Sequence, residues 1–181
     1  MQTFIRRFLK IAAAIVLIIV ATPFLLVASD WPKRDFAPRG ETLDFHRTDM
    51  GTTSVALKTW LGSDGSELML RRFPAGDRDA PLMVMLHGSG MHSGQFEQLA
   101  KKLASDGVAD VLVPDLRGHG PLPDRRGDVD YVGQLEDDLA ALIEAEARPD
   151  QEVVVLGHSS GGGLVVRFAG GPHGGLMDRA I

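Results

Sequence analysis

The stretch Val153-Val154-Val155-Leu156-Gly157-His158-Ser159-Ser160-Gly161-Gly162-Gly163 restricts the possible folds of this chain more than any other. Three β-branched residues and a leucine in succession predict a strand buried on both faces, the pattern of a parallel sheet covered by helices. Leu164, Val165, Val166, Phe168 and Ala169 then follow at helical spacing. Small residues fill the junction, with glycine two places before Ser159 and two places after it. A serine on a sharp strand-to-helix turn takes strained backbone angles, and the positions flanking it approach so closely that side chains would collide. Glycine removes the collision. The five-residue pattern alone also occurs in ordinary loops; its setting between a buried strand and a helix makes it specific.

The rest of the domain repeats this alternation. Residues 54–61 and 67–73 read as two strands joined by Gly62-Ser63-Asp64-Gly65-Ser66, an antiparallel hairpin at one sheet edge. An apolar strand at 82–86 runs into His87-Gly88-Ser89-Gly90, and Phe96, Leu99, Ala100 and Leu103 fall at helical spacing after it. A strand at 111–113 and a helix over 131–147, with Leu135, Leu139, Leu142 and Ile143 on one face, lead back to strand 153–156. The fold class is therefore α/β, a mostly parallel sheet with right-handed crossovers and helices on both faces. In such sheets ligands bind at the carboxyl ends of the strands, and 87–90, 117–120 and 157–163 all follow strand ends.

The N-terminus is of another kind. Arg6, Arg7 and Lys10 precede a charge-free run over residues 11–29, close to the ~20 apolar residues needed to cross a bilayer as a helix. We read residues 1–29 as a signal anchor or transmembrane helix, 30–51 as a linker containing Pro32, Pro38 and Gly40, and 52–181 as the α/β domain. Basic residues stay on the cytoplasmic side, which places the domain on the exported side; secretion after signal cleavage is the alternative. All 24 Asp and Glu lie at or beyond Asp30, against 16 of the 19 Lys and Arg, so that portion carries a net charge of −8. This balance argues against nucleic acid as a partner. Cysteine is absent, which excludes disulfides and thiolate metal sites, and no cluster has metal-ligand spacing.

Three segments in order, 87–94 (His87-Gly88-Ser89-Gly90-Met91-His92-Ser93-Gly94), 115–120 (Asp115-Leu116-Arg117-Gly118-His119-Gly120) and 157–162, resemble the successive motifs of α/β-hydrolases of the monoacylglycerol lipase, lysophospholipase and serine aminopeptidase group. The resemblance covers about 54–181. Further strands and helices follow the elbow helix in that fold, whereas this chain ends where the next strand would begin, so it looks like a C-terminally truncated hydrolase with the elbow strand's outer edge uncovered.

The resemblance implies a serine hydrolase of carboxylic esters with an acyl-enzyme on Ser159, and no cofactor. Gly157 and Gly161 would be the elbow glycines, and the backbone N–H groups of Ser160 and Ser89 would form the oxyanion hole, with Gly90 as the fallback donor. The triad acid and base are where the sequence departs from the family. Their order in the chain should be Ser, then Asp or Glu, then His. Only Asp178 and His173 follow Ser159, and both come too early. We expect neither acid nor base in this chain, which leaves the truncated form inactive. His46, His87, His92, His119 and His158 are expected to be structural or pocket-lining, and Asp115 to fix the 117–120 loop through hydrogen bonds. Substrates would be small-molecule or lipid esters. The alternatives are a non-catalytic remnant or acyl-ligand-binding protein and, among enzymes, a serine aminopeptidase.

Overall fold

The computed structural model describes residues 2–30, 55–121, 123 and 125–181. The chain separates into two compact units, residues 1–44 and 45–181. Most of the expected linker lies outside the described residues, as does His46.

In the first unit α1 runs over Gln2–Asp30. Leu9–Leu26 has a mean hydropathy of 2.5, and its leucine, isoleucine and valine side chains are exposed. At about 1.5 Å per residue those 18 residues alone extend ~27 Å, close to the ~30 Å of a bilayer's hydrocarbon core. The helix is long and apolar enough to cross a membrane. Pro23 sits inside it, and the Thr22 hydroxyl bonds back to the Ile18 carbonyl at 2.6 Å in the same turn.

The second unit is a six-stranded sheet with strands β1 Lys58–Leu61, β2 Glu67–Phe73, β3 Leu82–Leu86, β4 Asp110–Pro114, β5 Val153–Gly157 and β6 Arg179–Ala180, in the order β1-β2-β4-β3-β5-β6. β1 and β2 pair antiparallel, as does β2 with β4, while β4, β3, β5 and β6 are parallel. β3 lies at the centre, in register with β5 from Leu82↔Val153 to Leu86↔Gly157. All five of its residues are buried, because side chains of both parities meet a helix layer.

Leu82, Val84, Leu86, Val153 and Val155 pack with Leu139, Leu142, Ile143, Leu164, Val165 and Phe168, where α3 (Gln134–Glu146) and α4 (Ser160–Ala169) cover one face. Met83, Met85, Val111, Val113 and Val154 meet Ala100 and Ala104 of α2 (Glu97–Ser105) on the other. The alanines of α2 let that helix approach the larger methionines of β3.

Three details differ from the sequence expectation. β1 begins at Lys58 rather than residue 54. α3 begins at Gln134 because Gly133, at φ 110, bends the chain into it, so Tyr131 and Val132 precede the helix. The outer edge of β5 is partly covered: β6 pairs with it at Val154↔Arg179 and Val155↔Ala180, and the Gly157 amide donates to the Ile181 carbonyl at 3.0 Å.

Candidate active site

Steric pressure builds the turn after β5. An ideal Cβ on Gly157 would lie 2.4 Å from the Gly161 carbonyl, and one on Gly161 would lie 2.3 Å from the Leu86 carbonyl oxygen and 2.7 Å from that of His87. All these neighbours are backbone, so no side-chain movement relieves the overlap. Ser159 takes φ 54 and ψ −117, one of two non-glycine residues with positive φ among the described residues, and it caps α4 with its side chain exposed. Such strain persists only where the surroundings enforce it. Here they include the His158 amide, held on the Leu86 carbonyl at 3.0 Å, and the Gly161 amide, held on the His158 carbonyl at 2.9 Å.

Ser160 is the first residue of α4, where backbone N–H groups have no carbonyl one turn earlier to bond. On the facing loop the Met91 amide donates to the Gly88 carbonyl at 3.1 Å, and Gly90 takes φ 73. This turn leaves the Ser89 and Gly90 amides without an acceptor among the described residues. Gly88 is what lets the loop close on the elbow, because a Cβ there would lie 3.0 Å from His158 Nδ1 and 3.4 Å from Ser159 Cβ. Ser89, Gly90 and Met91 face Gly118, His119 and Arg126 across a cavity of about 470 Å³.

His87 joins the loops from beneath and is fully buried. Its Nδ1 lies 2.9 Å from the Gly88 carbonyl oxygen and must carry the proton, while Nε2 accepts the Leu116 amide at 3.0 Å. Both ring nitrogens are therefore used in the neutral form. Burial pushes the ring's pKa down to about 4, which outweighs the opposing hydrogen bond to Gly88. Its ring centroid lies 5.0 Å from that of His119.

Asp115 corrects the sequence expectation. The buried carboxylate does not bond within its own loop; it accepts the Ser93 amide of the neighbouring one. Arg117 fixes the 115–120 loop instead. Its Nε and Nη2 donate to Asp138 of α3 at 2.8 and 2.9 Å, and its Nη1 and Nη2 donate to Asp64 of the β1–β2 turn at 3.0 and 2.9 Å. Hydrogen bonding to Asp138 raises the Arg117 pKa, and the Arg117 guanidinium holds the Asp64 carboxyl well below the usual carboxylate range. A charged Asp138 amid the apolar positions of α3 was the one sequence signal for this junction.

The remaining titratable candidates are engaged with other groups. His173 Nε2 is 2.8 Å from Asp137 Oδ1, and Tyr131 donates to the same carboxylate at 2.6 Å. Asp178 accepts the Val153 amide, at the end of β5 opposite Ser159. His92 Nδ1 accepts the Gly94 amide at 3.1 Å, and His158 Nδ1 lies 2.9 Å from Gln95 Nε2. None of the described histidines hydrogen-bonds Ser159. Among the described residues no group of three His, Cys, Asp or Glu could hold a metal ion.

Comparison with known proteins gives the same architecture. The chain is 32% identical over 89 residues to the monoacylglycerol lipase of Mycolicibacterium smegmatis, covering 48% of this chain and 31% of that protein. A solved α/β hydrolase from Novosphingobium aromaticivorans is 31% identical with a TM-score of 0.54, covering 72% of this chain and 44% of the other. A soluble variant of the monoglyceride lipase of Saccharomyces cerevisiae, solved with a substrate analog, shares the fold at 22% identity and a TM-score of 0.60. This chain thus spans less than half the length of each of the two solved proteins. Residues 78–181 match the sequence profile described as serine aminopeptidase, S33. Since that match takes in β3 through β6 and the whole elbow, the chain belongs to the serine aminopeptidase S33 family, on the α/β-hydrolase fold.

Proposed function

We propose that Ser159 is the nucleophile of a serine hydrolase acting on carboxylic esters of the monoacylglycerol or lysophospholipid kind. The observation that carries this reading is the turn itself: an exposed serine at φ 54, locked between two glycines that admit no side chain. Attack of Oγ on the ester carbonyl forms a carbon–oxygen bond and moves negative charge onto the carbonyl oxygen. The Ser160 amide and that of Ser89, or of Gly90, would receive this charge, each being worth roughly 3 kcal/mol in the transition state. Collapse expels the alcohol and leaves an acyl-Ser159, which water then hydrolyses. No cofactor enters this chemistry.

Each step also moves a proton, which requires an imidazole oriented by a carboxylate. With His173 and Asp178 engaged elsewhere, this reading assigns base and acid to no residue of this chain. Coverage of only 31% of the lipase relative is in keeping with that assignment. The same bare serine favours a second reading, a hydrolase remnant that binds acyl ligands without turnover. Likeness to a lipase supports ester substrates, and the family name keeps peptide substrates as the enzymatic alternative. We further propose that α1 anchors the protein, with Arg6, Arg7 and Lys10 cytoplasmic and the hydrolase unit exported as residues 52–181; cleavage as a signal is the other outcome.

A fluorophosphonate probe tests the nucleophile. The 181-residue chain should not label, because removing triad members costs roughly 10⁴ to 10⁶ in turnover. A polypeptide continuing past Ile181 should label on Ser159 and hydrolyse a nitrophenyl ester, and Ser159→Ala should abolish both. Stoichiometric labelling of the 181-residue chain would sink the assignment of the base. An extended polypeptide that stays inert would favour the remnant.

A further inference from the structure

We propose that Gln95 is a positioning residue that clamps the oxyanion loop to the serine elbow, fixing the spacing between the Ser89 amide and Ser159. This rests on the reading of those groups as donor and nucleophile. One side-chain amide spans the two loops: its Oε1 accepts the Gly88 N–H at 3.0 Å, and its Nε2 lies 2.9 Å from His158 Nδ1. Chemistry decides which end of the amide faces which loop. A backbone N–H only donates, so the atom facing Gly88 is the carbonyl oxygen. The NH2 group must then donate to His158, so His158 Nδ1 is an acceptor and its proton sits on Nε2.

Gln95 is well placed to act as a strut because its own backbone is held. It closes a 3-10 turn, Ser93–Phe96, with its amide on the His92 carbonyl at 2.9 Å. His92 Nδ1 caps the same turn on the Gly94 amide, and the buried Ser93 is tied to Asp115 by its amide and to Arg71 by its hydroxyl. From that base the side chain reaches the loop after β3 and the loop after β5 together. Gly88 completes the arrangement, since any larger residue would push against His158 Nδ1. The contacts of Gln95 with Gly88 and His158 therefore tie together the two loops that leave the central strands, beyond the last ladder bond from the His158 amide to the Leu86 carbonyl. An asparagine, one methylene shorter, cannot bridge both.

The two bonds can be broken separately. In the full chain in detergent micelles, labelled with ¹⁵N-histidine and assigned with a His158→Gln variant, His158 should read as the single Nε2–H tautomer. Gln95→Glu keeps the acceptor for Gly88 but offers no donor to His158. The proton should move to Nδ1, while the Gly88 amide keeps its protection from hydrogen exchange. Gln95→Ala and Gln95→Asn should average the tautomers and speed exchange at Gly88 about fivefold, the value of one lost hydrogen bond. Far-UV circular dichroism confirms that each variant is folded, and the near-isosteric glutamate holds the test if alanine fails it. A His158 tautomer unchanged in Gln95→Glu, or Gly88 exchange unchanged in both shortened variants, overturns the clamp. Ser159 labelling is read apart from this: a clamp that passes beside an unreactive serine faults the proposed reaction and not the clamp.

Discussion

Asp138→Ala should destabilise the hydrolase unit by about 3 kcal/mol. The Asp138 carboxylate accepts four hydrogen bonds, from the Ser63 amide at 2.9 Å, the Ser63 hydroxyl at 2.8 Å, and Arg117 Nη2 and Nε at 2.9 and 2.8 Å. Its side chain is 5% exposed and that of Arg117 10%, so the substitution strands a buried guanidinium. Removing one partner of such a pair costs roughly 3–5 kcal/mol. Asp64, 37% exposed, still reaches Arg117 and holds the loss near the lower figure. The measurement is urea unfolding of the full chain in mild detergent, followed by Trp60 fluorescence in a Trp31→Phe background. Asp138→Asn, which keeps one acceptor oxygen for Ser63 and Arg117 Nη2 but sets an NH2 donor against Arg117 Nε and removes the charge, should lose less than alanine. Arg117→Met combined with Asp138→Leu should cost less than Asp138→Ala alone, because no charge is left buried and unpaired. A loss below about 1 kcal/mol for Asp138→Ala, or a double variant no better than the single, would refute the view that this ion pair holds the loop.

The elbow gives a contrast within one helix. Gly161→Ala, whose Cβ meets backbone at 2.3 Å, should cost about 1–3 kcal/mol or more, whereas Gly163→Ala, with nothing within 4 Å, should be neutral or stabilise by up to ~1 kcal/mol; equal urea midpoints would count against the steric account. pH separates His87 from the carboxylates. Its folded pKa of about 4 lies below the ordinary value near 6.5, so the unfolded chain binds more protons between them; stability should be complete above pH 6.5 and fall as pH drops toward 4, and His87→Gln should flatten that slope. Asp64 and Asp137 are held below the usual carboxylate range by Arg117 and by Tyr131 with His173, so their contributions are lost only below about pH 4. A phosphatase that requires export should be active when fused after Ile181, and activity of a cytoplasm-requiring reporter instead would reverse the proposed topology.

The central strands were legible because each is a short apolar run that both helix layers cover, and 82–86 reads as a strand whichever way its side chains point. Boundaries set by one backbone angle were less so: nothing but the glycine at 133 signalled that α3 starts at Gln134 rather than Tyr131. Side-chain ties between distant segments were the least legible. Asp138 falls three residues after Leu135 and beside Leu139, so a buried charge needing a cation could be inferred, but its partner Arg117 belongs to another loop. Gln95 carried no signal, since a glutamine at a helix start is unremarkable until Gly88 and His158 face it. Asp115 follows the end of β4 as its place after an apolar run implies, yet its hydrogen bond goes to Ser93, a neighbour supplied by the parallel pairing of β3 and β4.

The Arg117 junction also bears on how the domain reaches its native state. It gathers Asp64, Arg117 and Asp138, separated by 53 and 21 positions, so it can close only after β1–β2, β4 and α3 have met. Forming contacts of large sequence separation requires loop-closure entropy to be spent before they give anything back, which slows folding. The apolar strand pairs can assemble without this junction, and the junction can open without undoing them. On that ordering the β1–β2 turn and the 115–120 loop are the last part of the domain to set and, in partial unfolding, the first to let go.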